Sequence, residues 1–441
     1  MARDLTKGKP SQVLFQFALP VIGGNLFQLF YTLADSVIVG KILGADALAA
    51  VGATSIIIYF VLCFIQGVTG GFGICLGQKC GAGDELAMRQ SVAVSTVWSV
   101  VFAVVLTVIG AALSHPILRW MQTPGQIYTM AYDYMFAVLL GTGATVFYNM
   151  ISNMLRALGD SKTPLYFLVF SSLLNIVLDV VFIVPLSMGV AGAAWATVLS
   201  QFLSAVLSTW VGLKKFSVLH ISKKDFENFR NVSIVHLKYG FPMGFQMSVM
   251  CIGQLAMQAA VNAIGPEAIA GYTAATKVDQ LSVLINNAFG VAIANYVAQN
   301  YGAGFMERIR SGVKAGLVQT EITNVLLCAL ILLGRGWVVP MFLNEPSAEI
   351  VKYANGYLMA VAPFYLLLGL LLIVRSTVQS MGNSGAPFAA CIVELVMRIA
   401  GTFGLSLVLG YTGICLASPL AWLGAVSLLL PVYVHMSKRK K

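Results

Sequence analysis

Polar and apolar positions along this chain separate into blocks. Long apolar runs, such as 93–113 and 357–374, alternate with short polar stretches. A membrane-spanning helix needs about 20 mostly apolar residues. By length and apolar content the segments that qualify are 14–41, 50–76, 91–113, 131–155, 165–187, 190–212, 240–263, 268–300, 315–334, 354–374, 388–409 and 412–434. A β-barrel would alternate apolar and polar residues over short stretches. Backbone groups in lipid must be satisfied within the segment, so continuous runs of this kind are helices. The predicted fold class is therefore all-α integral membrane, with about twelve transmembrane helices. The first run follows a short charged stretch, Met1-Ala2-Arg3-Asp4-Leu5, with no small-residue cleavage site. It reads as the first span and not as a signal peptide.

The blocks repeat. Gly44-Ala45-Asp46-Ala47-Leu48-Ala49 matches Gly265-Pro266-Glu267-Ala268-Ile269-Ala270, and Gln78 with Gly81-Ala82-Gly83 matches Gln299 with Gly302-Ala303-Gly304. Gly159-Asp160-Ser161-Lys162-Thr163-Pro164 matches Gly382-Asn383-Ser384-Gly385-Ala386-Pro387, and Pro20 matches Pro242. All are separated by 221 to 223 residues. Each match is short, but the constant offset makes the set persuasive. The longest polar, charged segment lies at the midpoint. The expected organisation is an N-terminal six-helix lobe over 1–213, a cytoplasmic linker over 214–238 and a C-terminal six-helix lobe over 239–441. An even number of spans per lobe inserts both the same way up, a parallel repeat about an axis along the membrane normal. Such lobes are expected to enclose a central cavity and to rock so that it opens to either side in turn.

Composition agrees with lipid as the solvent. Hydrophobic residues make up 58% of the 441, and charged residues only 10%, against about 25% charged in a soluble domain. The net charge of +10 does not point to nucleic acid, because the basic residues sit in short loops where they orient membrane proteins. With twelve spans, 21 of the 27 Lys and Arg residues fall on the side of both termini, Arg375 among them. Only Lys41, Arg119, Arg335 and Lys352 fall on the other side, and Lys277 and Arg398 lie within spans. Both termini are expected in the cytoplasm of a multi-pass plasma (inner) membrane protein. The seven cysteines form no CxxC pair and the four histidines are isolated, so no metal or redox site is expected.

Ionisable groups inside spans cost about 2.5–3.5 kcal/mol on insertion scales, so each needs an account. Asp35 lies in the first span. Asn175 and Asp179 are four apart in the fifth and share a helix face. An amide oxygen above a carboxylate suits either a small hard cation or a proton relay, and Thr197 in the sixth span offers a hydroxyl oxygen. The structural alternative is that these groups bond a neighbouring helix and do nothing else. Glu394 and Arg398, four apart, read as a self-neutralising pair, with Arg398 at the repeat position of Asn175. Lys277 and Asp279 cannot pair face to face, and one or both are candidates to line a cavity. Pro20 is a candidate bend in the span that carries Asp35.

At these residues the chain resembles the multidrug and toxic compound extrusion (MATE) family over nearly its whole length. The marks are the Pro20 to Asp35 first span, Gln78-Lys79-Cys80-Gly81-Ala82-Gly83, Arg156 to Pro164, and Asn175 to Asp179. The resemblance implies a V-shaped two-lobe fold that antiports amphipathic, often cationic organic compounds against H+ or Na+ by alternating access, without a cofactor. It implies an ion site at Asp35, Asn175, Asp179 and Thr197, with Tyr31, Tyr134, Asn149 and Asn153 as polar neighbours. Asn153 departs from the Gln often found there. Some members carry a coupling carboxylate in span 7, where this chain has Gln246, Gln254 and Gln258, so coupling is expected to rest on the first half. A monomer acting on small molecules within the bilayer is expected. Three other readings stay open. A lipid-linked oligosaccharide flippase would favour a basic cavity, for which only Lys277 and Arg398 qualify. A membrane-embedded enzyme would need a catalytic constellation at membrane depth. A channel would show a continuous polar path.

Overall fold

The computed structural model describes residues 4–338, 340 and 347–438. Arg3, Arg439, Lys440 and Lys441, which count toward the charge bias, lie outside the described residues. Regular structure among the described residues is helical throughout. In chain order it comprises α1 (Pro10–Ile42), α2 (Ala45–Ala82), α3 (Glu85–Trp120), α4 (Gly125–Leu140), α5 (Thr142–Ala157), α6 (Lys162–Ile183), α7 (Gly189–Lys215), α8 (Phe229–Asn262), α9 (Pro266–Gly302), α10 (Met306–Val338), α11 (Ala348–Val361), α12 (Tyr365–Ser380), α13 (Gly385–Leu409) and α14 (Tyr411–Lys438). Short 3-10 turns occur at Ser217–Leu219, Lys223–Phe226 and Ala362–Phe364.

Every expected span falls on this framework. Among the described residues, ten helical segments are long and apolar enough to cross a membrane, and eleven when α4 and α5 are taken as one bent span. The remaining expected span is α8. At 34 residues it is long enough, but Arg230, His236, Lys238, Gln246, Gln254 and Gln258 dilute its apolar character. The helices also outrun the apolar blocks. The 38 residues of α2 reach about 57 Å at 1.5 Å per residue, well beyond a hydrocarbon core of about 30 Å.

The sequence repeat is a repeat of backbone geometry. Gly83 and Gly304 both take positive φ (69° and 78°), as do Gly159 and Gly382 (87° and 104°). The turns close with matching bonds: Gly159 N–H donates to Arg156 O and Gly382 N–H to Gln379 O, while Asp160 N–H reaches Leu155 O and Asn383 N–H reaches Val378 O. A left-handed residue just past a helix end satisfies the last carbonyls, and glycine takes that conformation without strain. The mid-span breaks also match. α4 and α5 meet at Gly141 with a bend of 44°, and α11 and α12 meet at the turn that holds Pro363, which is 222 residues later.

The chain forms two compact units. Unit 1 is Met1–Asp4 with Gly23–Gly244, and unit 2 is Leu5–Ile22 with Phe245–Lys441. The divisions after Ile22 and after Gly244 fall inside helices, two residues past the matched prolines Pro20 and Pro242. Leu5, Val13, Leu14, Phe17 and Val21 of the first segment are buried in a unit 2 cluster with Phe289, Ile293 and Tyr296. In unit 1, the first part of α8 is buried through His236, which meets Ser91 Oγ at 2.8 Å and the Phe72 ring at 5.4 Å. The expected linker 214–238 is not a free tether. Val218 and Leu219 join the apolar core of unit 1, and buried Asp225 pairs with Arg89 of α3 at 3.1 Å.

Candidate ion-coupling site

The polar residues expected to act together meet within unit 1. The lower end of α6 is fixed by Asp160, whose carboxylate accepts from the backbone N–H groups of Lys162 (3.1 Å) and Thr163 (3.0 Å) and from the Thr163 hydroxyl (2.7 Å). Lys215 at the end of α7 donates to the same carboxylate at 3.1 Å and to Thr163 Oγ1 at 2.7 Å. Higher up, Ser204 Oγ on α7 donates to Phe167 O at 2.8 Å. These bonds hold α6 and α7 in register. Asn175 Nδ2 then reaches Thr197 Oγ1 at 3.2 Å.

One turn further along α6, Asp179 is fully buried and Asn175 nearly so. The Asp179 carboxyl faces that of Asp35 from α1, within electrostatic reach. Tyr31 lies one turn from Asp35, and both it and Tyr134 of α4 sit within the field of both carboxyls. Asp35 Oδ1, Asn175 Oδ1 and both carboxylate oxygens of Asp179 are buried and accept no hydrogen bond from a protein donor, so the two carboxyls can bond each other only when one is protonated. Among the described residues no Lys or Arg forms an ion pair with either aspartate. Two carboxylates side by side in a low-dielectric site cannot both stay ionised without a positive charge between them. The donor set, hard oxygens only, fits a proton or a small alkali cation.

Asn149 and Asn153 turn elsewhere. Asn149 Nδ2 donates to Thr145 O of its own helix at 2.8 Å. Asn153 donates to Thr69 Oγ1 of α2 at 3.0 Å and accepts from Arg156 at 3.4 Å. They tie α5 to α2 and to the end of their own helix. Pro20 lies in the part of α1 that belongs to unit 2, and the helix runs through it without interruption.

Unit 2 does not reproduce the site. At the offsets of the matched prolines, Asp35 falls on Met257 and Asp179 on Thr402, both buried. The expected Glu394–Arg398 pair is a three-member group. Glu394 accepts from Arg398 at 2.8 Å and from Arg375 at 2.5 Å, and all three are buried. This corrects the placement of Arg375 in a cytoplasmic loop. α12 continues to Ser380, six residues past the apolar run, and carries Arg375 into the packed interior. Asp279 accepts from the hydroxyls of Tyr365 (2.7 Å) and Tyr357 (3.2 Å), while Lys277 on the same helix is exposed. Gln246 accepts from Gln379 at 2.7 Å, and Gln254 is exposed. Glu321, near the middle of α10, escaped the sequence reading. The available signal was its standing as the sole acid in the run 315–334.

Comparison with known proteins bears on the family and the fold. The sequence model of the family described as MatE matches residues 20–181 and 242–423, one stretch in each half of the repeat. A Bacillus subtilis protein named probable multidrug resistance protein YpnP is 31% identical over 430 residues, covering 96% of this chain and 94% of its own. A Shewanella oneidensis protein named FAD transporter is 22% identical, covering 93% and 91%. Among solved structures, a multidrug resistance MATE family transporter in an outward-facing conformation superposes with a TM-score of 0.91 at 24% identity, covering 98% of this chain and 97% of that one. A Pyrococcus furiosus transporter of the MOP superfamily, whose pocket is described as of reverse polarity, gives 0.91 at 24% identity, covering 99% and 98%.

Proposed function

The chain belongs to the MatE family, and from that premise we propose that it is a secondary active exporter that moves amphipathic or cationic organic compounds out of the cell in exchange for protons or sodium ions. One observation carries the coupling part of this reading. Four buried oxygens of Asp35, Asn175 and Asp179 accept no hydrogen bond from a protein donor, and among the described residues no Lys or Arg pairs with the two carboxyls. A proton or Na+ bound there removes the repulsion between α1 and α6, and its release restores it. Ion occupancy thereby sets how closely two helices of unit 1 approach, which is the kind of differential interaction that alternating access requires. Tyr31 and Tyr134 bound the site and limit water around it. The names of relatives such as the B. subtilis protein support a small organic cargo, which leaves chemically unchanged. The charge bias of the loops supports cytoplasmic termini in the plasma membrane, and the protein acts as a monomer.

The test is accumulation of a fluorescent lipophilic cation in proteoliposomes under separately imposed proton and sodium gradients. One gradient drives accumulation, and Asp35→Asn or Asp179→Asn abolishes it while leaving the thermal unfolding midpoint in place. Transport that survives both substitutions removes the coupling role from this site. A wild type that moves no cation under either gradient overturns drug export.

A further inference from the structure

Unit 2 has three carboxyl groups in the middle of its helices: Asp279, Glu321 and Glu394. Two are provided for. Glu394 holds two arginines, and Asp279 has two tyrosine hydroxyls and lies in the field of Arg398. Glu321 has neither.

The nearest donor to Glu321 is the side-chain amide of Asn324, with Nδ2 3.4 Å from Oε2. That amide also points to Tyr365 O at 2.9 Å and Asn286 Oδ1 at 3.1 Å. An NH2 group has two hydrogens, and the two shorter contacts claim them. Asn286 cannot substitute, because its own amide donates to Asn324 Oδ1 and Ser282 O, both at 2.8 Å. In unit 2, α10 meets α1 through Ser11 and Leu14, α9, α11, the Ala362–Phe364 turn, α12, and α14 through Arg310 and Ser437 near its start, away from Glu321. Toward Glu321 they present neutral groups: Asn286 and Ser282 from α9, Gly369 and the Tyr365 carbonyl from α12. Among the described residues no charged group acts on Glu321. The carboxyl sits in a place made for it. A Cβ on Gly369 would lie 2.9 Å from Glu321 Oε1 and would overlap Asn324 Nδ2. Beside it, Thr320 is buried and its Oγ1 has no partner.

We propose that Glu321 is a second ion-binding site of this protein, in unit 2, and that its ligand is a proton. Glu321 is half-buried; a carboxylate in the middle of a spanning helix is costly without a positive charge, and among the described residues no side chain supplies one. A metal ion would need several free oxygens, yet both asparagine oxygens are engaged, and of the groups named here only the hydroxyls of Thr320 and Ser282 lack a partner. A proton needs no further ligand. That this proton moves with export rests on the reading above; that Glu321 binds it does not.

Infrared difference spectra of the full-length protein in lipid, recorded between acid and alkaline pH, test the assignment directly. A protonated carboxyl shows a C=O stretch that the carboxylate lacks. Glu321→Gln is expected to remove one such band and to lower proton uptake on acidification by about one per chain. Glu321→Asp keeps a band at a shifted frequency, which separates loss of the site from loss of the fold. Asp35→Asn and Asp179→Asn remove different bands, so failure of the unit 1 reading is distinguishable. Unchanged bands and unchanged proton uptake in Glu321→Gln would overturn the proposal.

Discussion

At the scale of single residues, the informative groups are those whose burial demands a partner. Asp160 shows the demand met. Burial alone would raise its pKa, but the backbone N–H and hydroxyl of Thr163 and the ammonium of Lys215 outweigh that and hold it below the usual carboxylate range. A group depressed in the folded state contributes stability above its unfolded pKa of about 3.9 and loses it as pH falls through the folded value. Wild type is therefore expected to lose thermal stability in the acid range below about pH 4. Asp160→Ala loses the cap, costs about 1–2 kcal/mol near neutrality, and flattens the acid limb of a melting-temperature profile. Glu394 shows the opposite risk. Glu394→Gln strands two buried arginines and is expected to cost about 3–5 kcal/mol. Exchanging all three members for Met or Leu is expected to be milder, and melting temperatures of the two variants decide it. Residues of this kind were unevenly legible in the sequence. Asp35 and Asp179 stood out because a carboxylate in an apolar run has a cost that must be met. The partners of Asn149 and Asn153 did not, since an amide's choice between its own helix and α2 depends on packing that the sequence does not display.

At the scale of elements, the apolar blocks located the spans and the matched glycine turns located their ends. The interior breaks were not legible. Gly141 in an apolar run looks like any packing glycine. Its role comes from α7, because a Cβ there would overlap the branched side chain of Val198, which has little rotameric freedom to yield. Gly141→Ala is expected to destabilise unit 1 by about 1–3 kcal/mol by forcing α4–α5 off α7. Val198→Ala in the same chain should recover most of that loss, and unfolding midpoints of the single and double variants measure the recovery. Arg375 was misplaced for a related reason. Hydropathy marks where lipid ends, whereas a helix ends where its caps are, and α12 runs on to Ser380.

At the scale of the whole molecule, the repeat does more than duplicate six spans. Each half of the sequence supplies a helical piece to the other unit. Leu5–Ile22, from the first half, is part of unit 2, while the α8 residues from Phe229 to Gly244, from the second half, are part of unit 1. Cutting the chain at the midpoint therefore does not yield two complete units. A fragment 229–441 made alone lacks Leu5, Leu14 and Phe17 from its buried cluster, and a fragment 1–228 lacks His236 and Gly240, which pack on Phe72. A total stability of about 5–15 kcal/mol cannot absorb the loss of a core segment from either unit. Each fragment alone is expected to aggregate or be degraded in the membrane. The two expressed together are expected to co-purify and to melt as one species, because each restores the missing segment. A fragment 229–441 that is stable by itself would show that Leu5–Ile22 contributes little to unit 2. A fusion of 5–22 ahead of 245–441 by a flexible linker then separates the causes, since it restores the unit 2 core without unit 1 and should be more stable than 229–441.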